Sequence, residues 1–163
     1  MYEVGEYIVH PGQGVCRVDE VVGTPEPSYQ LMPVDARRPM RISFPVASES
    51  RLRPILTHDE AMTLIGEYPD LDVEELGPNN NAMEEHFKKK IRRGSCRDSV
   101  RVAKTFRRRI AQVRAMNKKP PVAYERILKQ AQERSLQELA VALDSTEEDV
   151  RQLFAQREEA ARA

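Results

Sequence analysis

Hydrophobic residues in the first third of the chain form short runs that are separated by glycine and proline. Val15, Val18 and Val21 alternate with polar residues, as they would in a strand with one buried face. Runs of this length between turn residues are typical of antiparallel strands. We therefore predict a small antiparallel β-barrel with strands near residues 7–9, 15–22, 29–34, 41–46 and 51–56.

The pattern changes after residue 56, where helical signals replace strand signals. Thr57 followed by Glu60 has the spacing of a capping box, which predicts a short helix ending near Glu67. Residues 68–81 contain two prolines, a glycine and three consecutive asparagines. This composition is typical of a linker, so we place the domain boundary there.

Apolar residues in the C-terminal half recur at helical spacing. Gly94 suits the end of one helix, and Ser95 with Asp98 suits the start of the next. A similar pair, Ser145 with Glu148, has the capping-box spacing ahead of the final helix. The pattern predicts four helices, at about 81–93, 96–117, 121–143 and from 146 to 157.

These elements predict an α+β protein with two modules. Residues 1–66 form the barrel with a short linking helix, residues 67–81 form the linker, and residues 82–163 form an all-α helical bundle. A chain of 163 residues is long enough for two small domains that fold separately.

The 26 basic and 26 acidic side chains are unevenly distributed along the chain. Residues 1–80 hold six arginines, no lysine and 14 acidic residues, a net charge of −8. Residues 86–119 hold 14 basic residues and one acidic residue, a net charge of +13. This asymmetry indicates two modules with different partners, and so basic a block attracts polyanions. The alternative is an ordinary solvated helix face.

The predicted helix 96–117 separates its charged residues from its apolar residues. At about 100° per residue the two sets fall on opposite sides of the helix. Cations in a row along a helix repel each other, so we expect this row to contribute nothing to the stability of the fold. We therefore expect it to bind an anionic partner. The apolar face comprises Val102, Ala103, Phe106, Ile110 and Val113, and the basic row comprises Arg97, Arg101, Lys104 and Arg108.

The sequence lacks the residue groupings of common enzyme classes. Its three histidines lie in separate segments, and it contains no HExxH, GxSxG or CxxC motif. The glycines of residues 11–14 predict a turn between strands, because no helix with a Lys-Ser/Thr pair follows them. Cys16 and Cys96 are too isolated for a disulfide framework or a zinc site. We therefore expect no enzyme activity, no cofactor and no metal.

The sequence also predicts where in the cell the protein is found. No apolar run approaches the roughly 20 residues that span a bilayer. The N-terminus lacks the basic and then apolar layout of a secretory signal. We expect a monomeric cytoplasmic protein without a membrane partner.

Four segments carry recognisable motifs. In chain order they read VGEYIVHPGQGV, MRISFPV, KIRRGS and ELAVA, at residues 4–15, 40–46, 90–95 and 138–142. Together they resemble the CarD/CdnL family of bacterial transcription regulators. Each motif is short, but the four in order extend over about 140 residues.

The resemblance implies a partner for the first module. In the family this module is a Tudor-like (SH3-like) barrel, shared with transcription-repair coupling factors, that docks on the lobe of the RNA polymerase β subunit. The edge strand with the Met-Arg-Ile motif provides much of the contact, and addition of a strand to a sheet edge is a reasonable mode of binding. The polymerase-binding residues it implies here are Met40, Arg41, Ile42, Ser43 and Pro45.

The resemblance also implies that the helical module contacts promoter DNA at the upstream edge of the transcription bubble, near the −10 region. In the family a Trp wedges into the minor groove there. This chain contains no Trp, the wedge position aligns with Asn80, and Met83 and Phe87 are the apolar residues that follow it. The residues expected to hold phosphates, without reading sequence, are Lys88, Lys89, Lys90, Arg92, Arg93, Arg97, Arg101, Lys104 and Arg108.

The sequence thus predicts a transcription regulator that binds RNA polymerase β and promoter DNA and modulates the stability of the open complex. One alternative is a protein–protein adaptor on the polymerase without wedge activity. Another is an RNA- or ribosome-associated barrel protein. Salt dependence distinguishes DNA from an acidic protein partner, and a preference for structured RNA would favour the second alternative.

Overall fold

The computed structural model describes residues 1–35, 37, 39–77 and 79–163. The chain divides into two compact units, Met1–Leu56 and Thr57–Ala163. The first contains an antiparallel sheet and the second contains five α-helices. The predicted α+β class, with strands first and helices afterwards, is confirmed.

The sheet unit contains five strands in the order β4-β3-β2-β1-β5. All four neighbouring pairs are antiparallel, and β4 and β5 lie at the two edges. Closure of this sheet into a barrel stays a prediction. The strands are β1 (Tyr7–His10), β2 (Gly14–Val22), β3 (Ser28–Pro33), β4 (Ile42–Pro45) and β5 (Arg53–Pro54).

Alternation along the strands builds the core of the sheet unit. Tyr29 and Leu31 on β3 are fully buried and face Ile8 on β1 and Val18 on β2 within one cluster. The Tyr29 hydroxyl donates to a carboxylate oxygen of Glu49 at 2.5 Å, so the buried ring keeps a polar partner. Its oxygen also accepts a backbone N–H at 2.9 Å.

The chain reverses between β1 and β2 at Pro11–Gln13, so the predicted turn is confirmed. The Nδ1 atom of His10 accepts the backbone N–H groups of Gly12 and Gln13, at 3.0 and 3.1 Å. Gly14 follows with a φ of 78°, a conformation that suits glycine.

The helical unit contains α1 (His58–Glu67), α2 (Asn80–Arg93), α3 (Cys96–Ala115), α4 (Val122–Ala142) and α5 (Glu147–Arg162). The predicted apolar face of α3 is buried and packs against α2 and α4. Phe106 lies at the centre, edge-on to Phe87 and Tyr124 at ring-centroid distances of 4.9 and 5.4 Å. No helix in the described ranges is both long and apolar enough to cross a bilayer.

Two predicted helix starts are confirmed. Capping boxes link Thr57 with Glu60 and Ser95 with Asp98, which satisfies backbone donors at the first turns of α1 and α3. At Gly94, which separates α2 from α3, a Cβ atom would lie 2.4 Å from the carbonyl oxygen of Lys90. Glycine is therefore required for this short connection.

The predicted cap of α5 is wrong by one residue. The hydroxyl of Thr146 accepts the backbone N–H of Asp149 at 3.1 Å, so this pair begins the helix in place of Ser145 with Glu148. Ser145 instead donates to the Asp149 carboxylate at 2.9 Å. The helix also continues beyond the predicted Arg157, to Arg162.

The division between the units differs from the predicted modules. It falls after Leu56, so α1 belongs to the helical unit, together with residues 67–81 that were expected to be a linker. A 3-10 helix, Tyr68–Asp70, continues directly from α1. Tyr68 and Leu71 are buried, and the Tyr68 ring packs edge-on against Phe154 of α5 at 5.0 Å. These apolar contacts attach the segment to the helical unit.

Candidate functional site

Strand β4 lies at one edge of the sheet and pairs only with β3 in the described residues. An edge strand leaves backbone N–H and C=O groups without a partner in the sheet. Its side chains alternate: Phe44 is buried in the core, whereas Ser43 and Pro45 are exposed. Met40, just before the strand, is 76% exposed. The motif residues therefore present an unpaired edge together with exposed side chains.

Arg41 lies against two acidic residues of β2. Its guanidinium contacts Asp19 at 3.5 Å and Glu20 at 3.8 Å. The pairing of β2 with β3 shifts between Val18 and Glu20, so Asp19 lies at a bulge. Arg17 donates to Asp19 at 2.6 Å, and this hydrogen bond, with the nearby charge of Arg41, lowers the pKa of the Asp19 carboxyl.

These acidic partners were not found from the sequence. Asp19 and Glu20 lie about 20 positions before Arg41, and the alternation of β2 gave no sign of a bulge there. Their contacts restrict the guanidinium beside the edge, which reduces the side-chain entropy that a bound partner would have to remove.

The basic row of α3 is only partly exposed to solvent. Lys104 is only 8% exposed, and its ammonium donates to the carbonyl oxygens of Tyr68, Pro69 and Leu71 at 2.7, 3.1 and 2.7 Å. Burial, and then the charge of Arg108, lowers the pKa of Lys104. All three ammonium protons have acceptors within the helical unit, which leaves none for a phosphate in this conformation, and the DNA role of Lys104 stays a prediction.

Residues 67–76 are here called the acidic strap. The strap binds Arg97 and Arg101 of the row, and it also binds Lys90 near the end of α2. Glu67 forms an ion pair with Arg97, and Glu74 forms one with Lys90. Arg101 also contacts Glu74, at 3.5 Å, and donates to the carbonyl of Asp72 at 2.9 Å. These cations therefore have internal acceptors that offset their mutual repulsion, which the sequence pattern of the helix alone does not show.

A signal for this strap was present in the charges. Residues 57–75 hold seven acidic residues and no Lys or Arg, whereas residues 1–56 hold six arginines and seven acidic residues. The acidic half of the sequence is thus largely the strap and α1, and the sheet unit is almost neutral. The charge asymmetry lies mainly inside the helical unit, where it is used in internal ion pairs.

Four basic residues remain at the C-terminal end of α2, here called the basic end: Lys88, Lys89, Arg92 and Arg93. Lys88 contacts Glu84 at 3.4 Å. Lys89, Arg92 and Arg93 are exposed, and in the described part of the chain no acidic side chain pairs with them. Their spacing of three and four residues places them on one face of the helix. Arg108 on α3 is likewise exposed.

Asn80, which the sequence prediction aligned with the family's wedge position, lies at the start of α2. Asn80 is the first residue of the helix, and the side chain of Asn79 caps it by accepting the backbone N–H groups of Asn81 and Ala82. Met83 and Phe87 are 5% and 1% exposed and belong to the core of the bundle. Neither can enter a DNA groove while the bundle stays folded.

Metal-binding residues do not converge in the ranges that the structure describes. No group of three or more His, Cys, Asp or Glu side chains in those ranges could hold a metal ion. Cys16 and Cys96 are both buried, are not joined by a disulfide, and lie in different units.

An antiparallel sheet with an exposed edge strand has a surface to which a partner strand can add. Residues 2–56 match the family model of the CarD-like/TRCF RID domain, so the resemblance is confirmed for this segment, and the match ends where the sheet unit ends. The RID domains of this family are transcription-related modules that interact with RNA polymerase β. No curated protein matches the chain with significant similarity.

Proposed function

We propose that the protein regulates transcription by docking its sheet unit on the lobe of RNA polymerase β and its helical unit on promoter DNA near the −10 region. The observation that carries the proposal is the position of β4 at an edge of the sheet, inside the segment that matches the RID domain. The motif residues Met40, Arg41, Ile42, Ser43 and Pro45 would form the contact surface.

Addition of a polymerase strand to β4 would use both features of this edge. Backbone hydrogen bonds to the unpaired edge would provide affinity, and side chains that alternate along the strand would provide specificity. Met40 would bury its exposed apolar surface in the interface. Arg41, restricted by Asp19 and Glu20, would present its guanidinium with little further loss of entropy.

The DNA half of the proposal rests on the basic end of α2. Lys89, Arg92 and Arg93 are exposed and could each bind a backbone phosphate without reading base sequence. With Met83 and Phe87 in the core, contact would be limited to the outside of the duplex. Binding would stabilise whichever promoter state offers more phosphate contacts, and would shift populations only by that difference.

The experiment uses the full chain and an RNA polymerase β lobe fragment. Arg41→Glu reverses the charge beside β4 and places it next to Asp19 and Glu20, so we expect affinity to fall at least about tenfold. Arg51→Glu is the matched control, because it makes the same change beside β5 at the opposite edge. Equal binding by both variants would refute the proposed contact.

A second candidate is a polymerase adaptor whose helical unit binds an acidic protein. The internal pairing of Lys90, Arg97 and Arg101 favours it, because it leaves a small basic surface. Duplex DNA gives a log–log salt slope near −0.9 for each phosphate neutralised. A slope close to zero with promoter DNA would favour the adaptor.

A further inference from the structure

We infer that the acidic strap occupies cations that DNA phosphates would otherwise bind, so that strap and DNA compete for Lys90, Arg97 and Arg101. This inference rests on the proposed function, since it concerns how the helical unit meets DNA. The strap would act as a competitor of DNA within the same unit. The inference predicts that more cations contact DNA in the complex than are unpaired in the DNA-free protein.

Carboxylates of the strap occupy the positions that phosphates would take. The Glu74 carboxylate meets Lys90 and Arg101, and it lies 3.4 Å from the ring of His86. Glu67 meets Arg97 one turn before Arg101 on the same helix. Carboxylate and phosphate oxygens are both acceptors for guanidinium and ammonium donors, so one replaces the other directly.

The ends of the strap are held by apolar contacts. Tyr68 and Leu71 are buried at its start, and Leu76 packs against the core of the bundle at its end. The buried Lys104 fixes three carbonyl oxygens of the first end. These contacts need not break when the middle of the strap moves away from Lys90 and Arg101, or when the Glu67 side chain at the end of α1 rotates away from Arg97.

The middle of the strap, residues 72–75, is held by polar contacts that water or phosphate can replace. Arg101 donates to the Asp72 carbonyl, and the Glu74 N–H donates to the hydroxyl of Thr105 at 3.1 Å. The side chains of Lys90 and Arg101 in these ion pairs are 30% and 34% exposed, so solvent and salt reach both cations. A cleft of about 350 Å³ is lined by residues 73–76 of the strap and by residues of α3 that include Arg108 and Arg109. A phosphate could therefore approach the row beside the strap.

The experiment measures binding of the full chain to a promoter-fork duplex over a range of salt concentrations. Glu67→Gln with Glu74→Gln keeps the shape of the strap and removes the two charges that pair with the row. We expect tighter binding and a salt slope steeper by up to about 2.7, for three further phosphates at about 0.9 each.

The matched control is Asp70→Asn with Glu75→Gln. It removes the same charge from the same strap, but both side chains are exposed and neither bonds Lys90, Arg97 or Arg101. Equal changes in affinity in both variants, with unchanged salt slopes, would mean that the net charge of the strap affects DNA binding without specific ion pairs. This result would overturn the inference. A steeper slope only in the first variant supports it.

The outcomes separate the two proposals. If the wild type binds DNA and the slope of the Glu67/Glu74 variant does not change, the strap inference fails and the proposed DNA contact stands. If neither the wild type nor the variant binds DNA, both proposals fail.

Hydrogen exchange provides a second test. DNA binding should speed exchange of the Glu74 amide, which donates to Thr105 in the DNA-free protein. Unchanged or slower exchange there would overturn the inference.

Discussion

The ammonium of Lys104 lies 5.1 Å from the centre of the Tyr68 ring and donates to the backbone carbonyl of the same residue at 2.7 Å. One cation on α3 thus holds both the ring and the backbone of the segment that follows α1. The contact joins α1, the acidic strap and α3 into one structural unit, and it explains why residues 67–71 do not behave as a linker.

Replacing Lys104 should destabilise the helical unit. In Lys104→Met the carbonyls of Pro69 and Leu71 lose the ammonium donor, whereas that of Tyr68 keeps the backbone N–H of Leu71 at 3.2 Å. Each carbonyl left without a donor costs about 1–3 kcal/mol where water cannot replace it. We expect a total loss of about 2–4 kcal/mol, since water will reach part of the site. Urea unfolding measures it. Arg108→Met, at the exposed neighbour in the row, should stay within about 0.5 kcal/mol of the wild type.

Asp19 should make the sheet unit sensitive to acid. Its hydrogen bond from Arg17 and the charge of Arg41 lower its pKa in the folded state. The stability it contributes is therefore fully present above the ordinary aspartate pKa of about 3.9 and is lost as pH falls through the lowered value. Asp19→Asn should reduce the dependence of unfolding free energy on pH in that window. Glu26→Gln, at an exposed position, is the charge-matched control, and an equal reduction in both variants would contradict a specific role of Asp19.

The cap of α5 gives a test of the corrected helix start. Thr146→Ala removes the acceptor for the Asp149 N–H and should cost about 1 kcal/mol of stability. Glu148→Gln, at the residue first expected to complete the cap, should change stability by less than about 0.5 kcal/mol. Thermal unfolding of the two variants compares them directly. A larger effect at Glu148 would restore the original prediction.

The basic end of α2 should dominate DNA binding in the wild type. Replacing Lys89, Arg92 and Arg93 by alanine should reduce the magnitude of the salt slope by up to about 2.7, because three phosphate contacts are lost. The control replaces Arg114, Arg151 and Arg162, which pair with acidic residues on other parts of the unit. Fluorescence anisotropy with labelled promoter DNA measures both triple variants. An equal loss in both would show that net charge, and not the basic end, determines binding.

The elements of the fold could be predicted because their signals are local. Thr57 with Glu60 and Ser95 with Asp98 are each three residues apart, and the apolar face of α3 repeats within one helix. The start of α5 was misplaced because Ser145 and Thr146 can both act as caps, and only the observed backbone decides between them. Periodicity cannot distinguish two adjacent cap residues.

The candidate DNA surface was predicted less well because its arrangement depends on distant residues. A helical wheel places Arg97, Arg101 and Lys104 together, but it does not reveal which segment covers them. Their partners lie about 30 residues earlier, in a stretch with the proline and glycine of a loop. A cationic helix face can pair with an acidic segment of the same chain or with an external anion. The helical pattern alone does not distinguish these two partners.

Each edge strand of the sheet ends in a proline, Pro45 on β4 and Pro54 on β5, and neither strand is longer than four residues. Proline has no N–H, so each edge has fewer donors to offer than its length suggests. Two copies of the chain would gain few hydrogen bonds by pairing edge to edge, and aggregation through the sheet is disfavoured. A partner strand must therefore add side-chain contacts to the backbone hydrogen bonds. The edge is accessible, but it selects partners by their side chains.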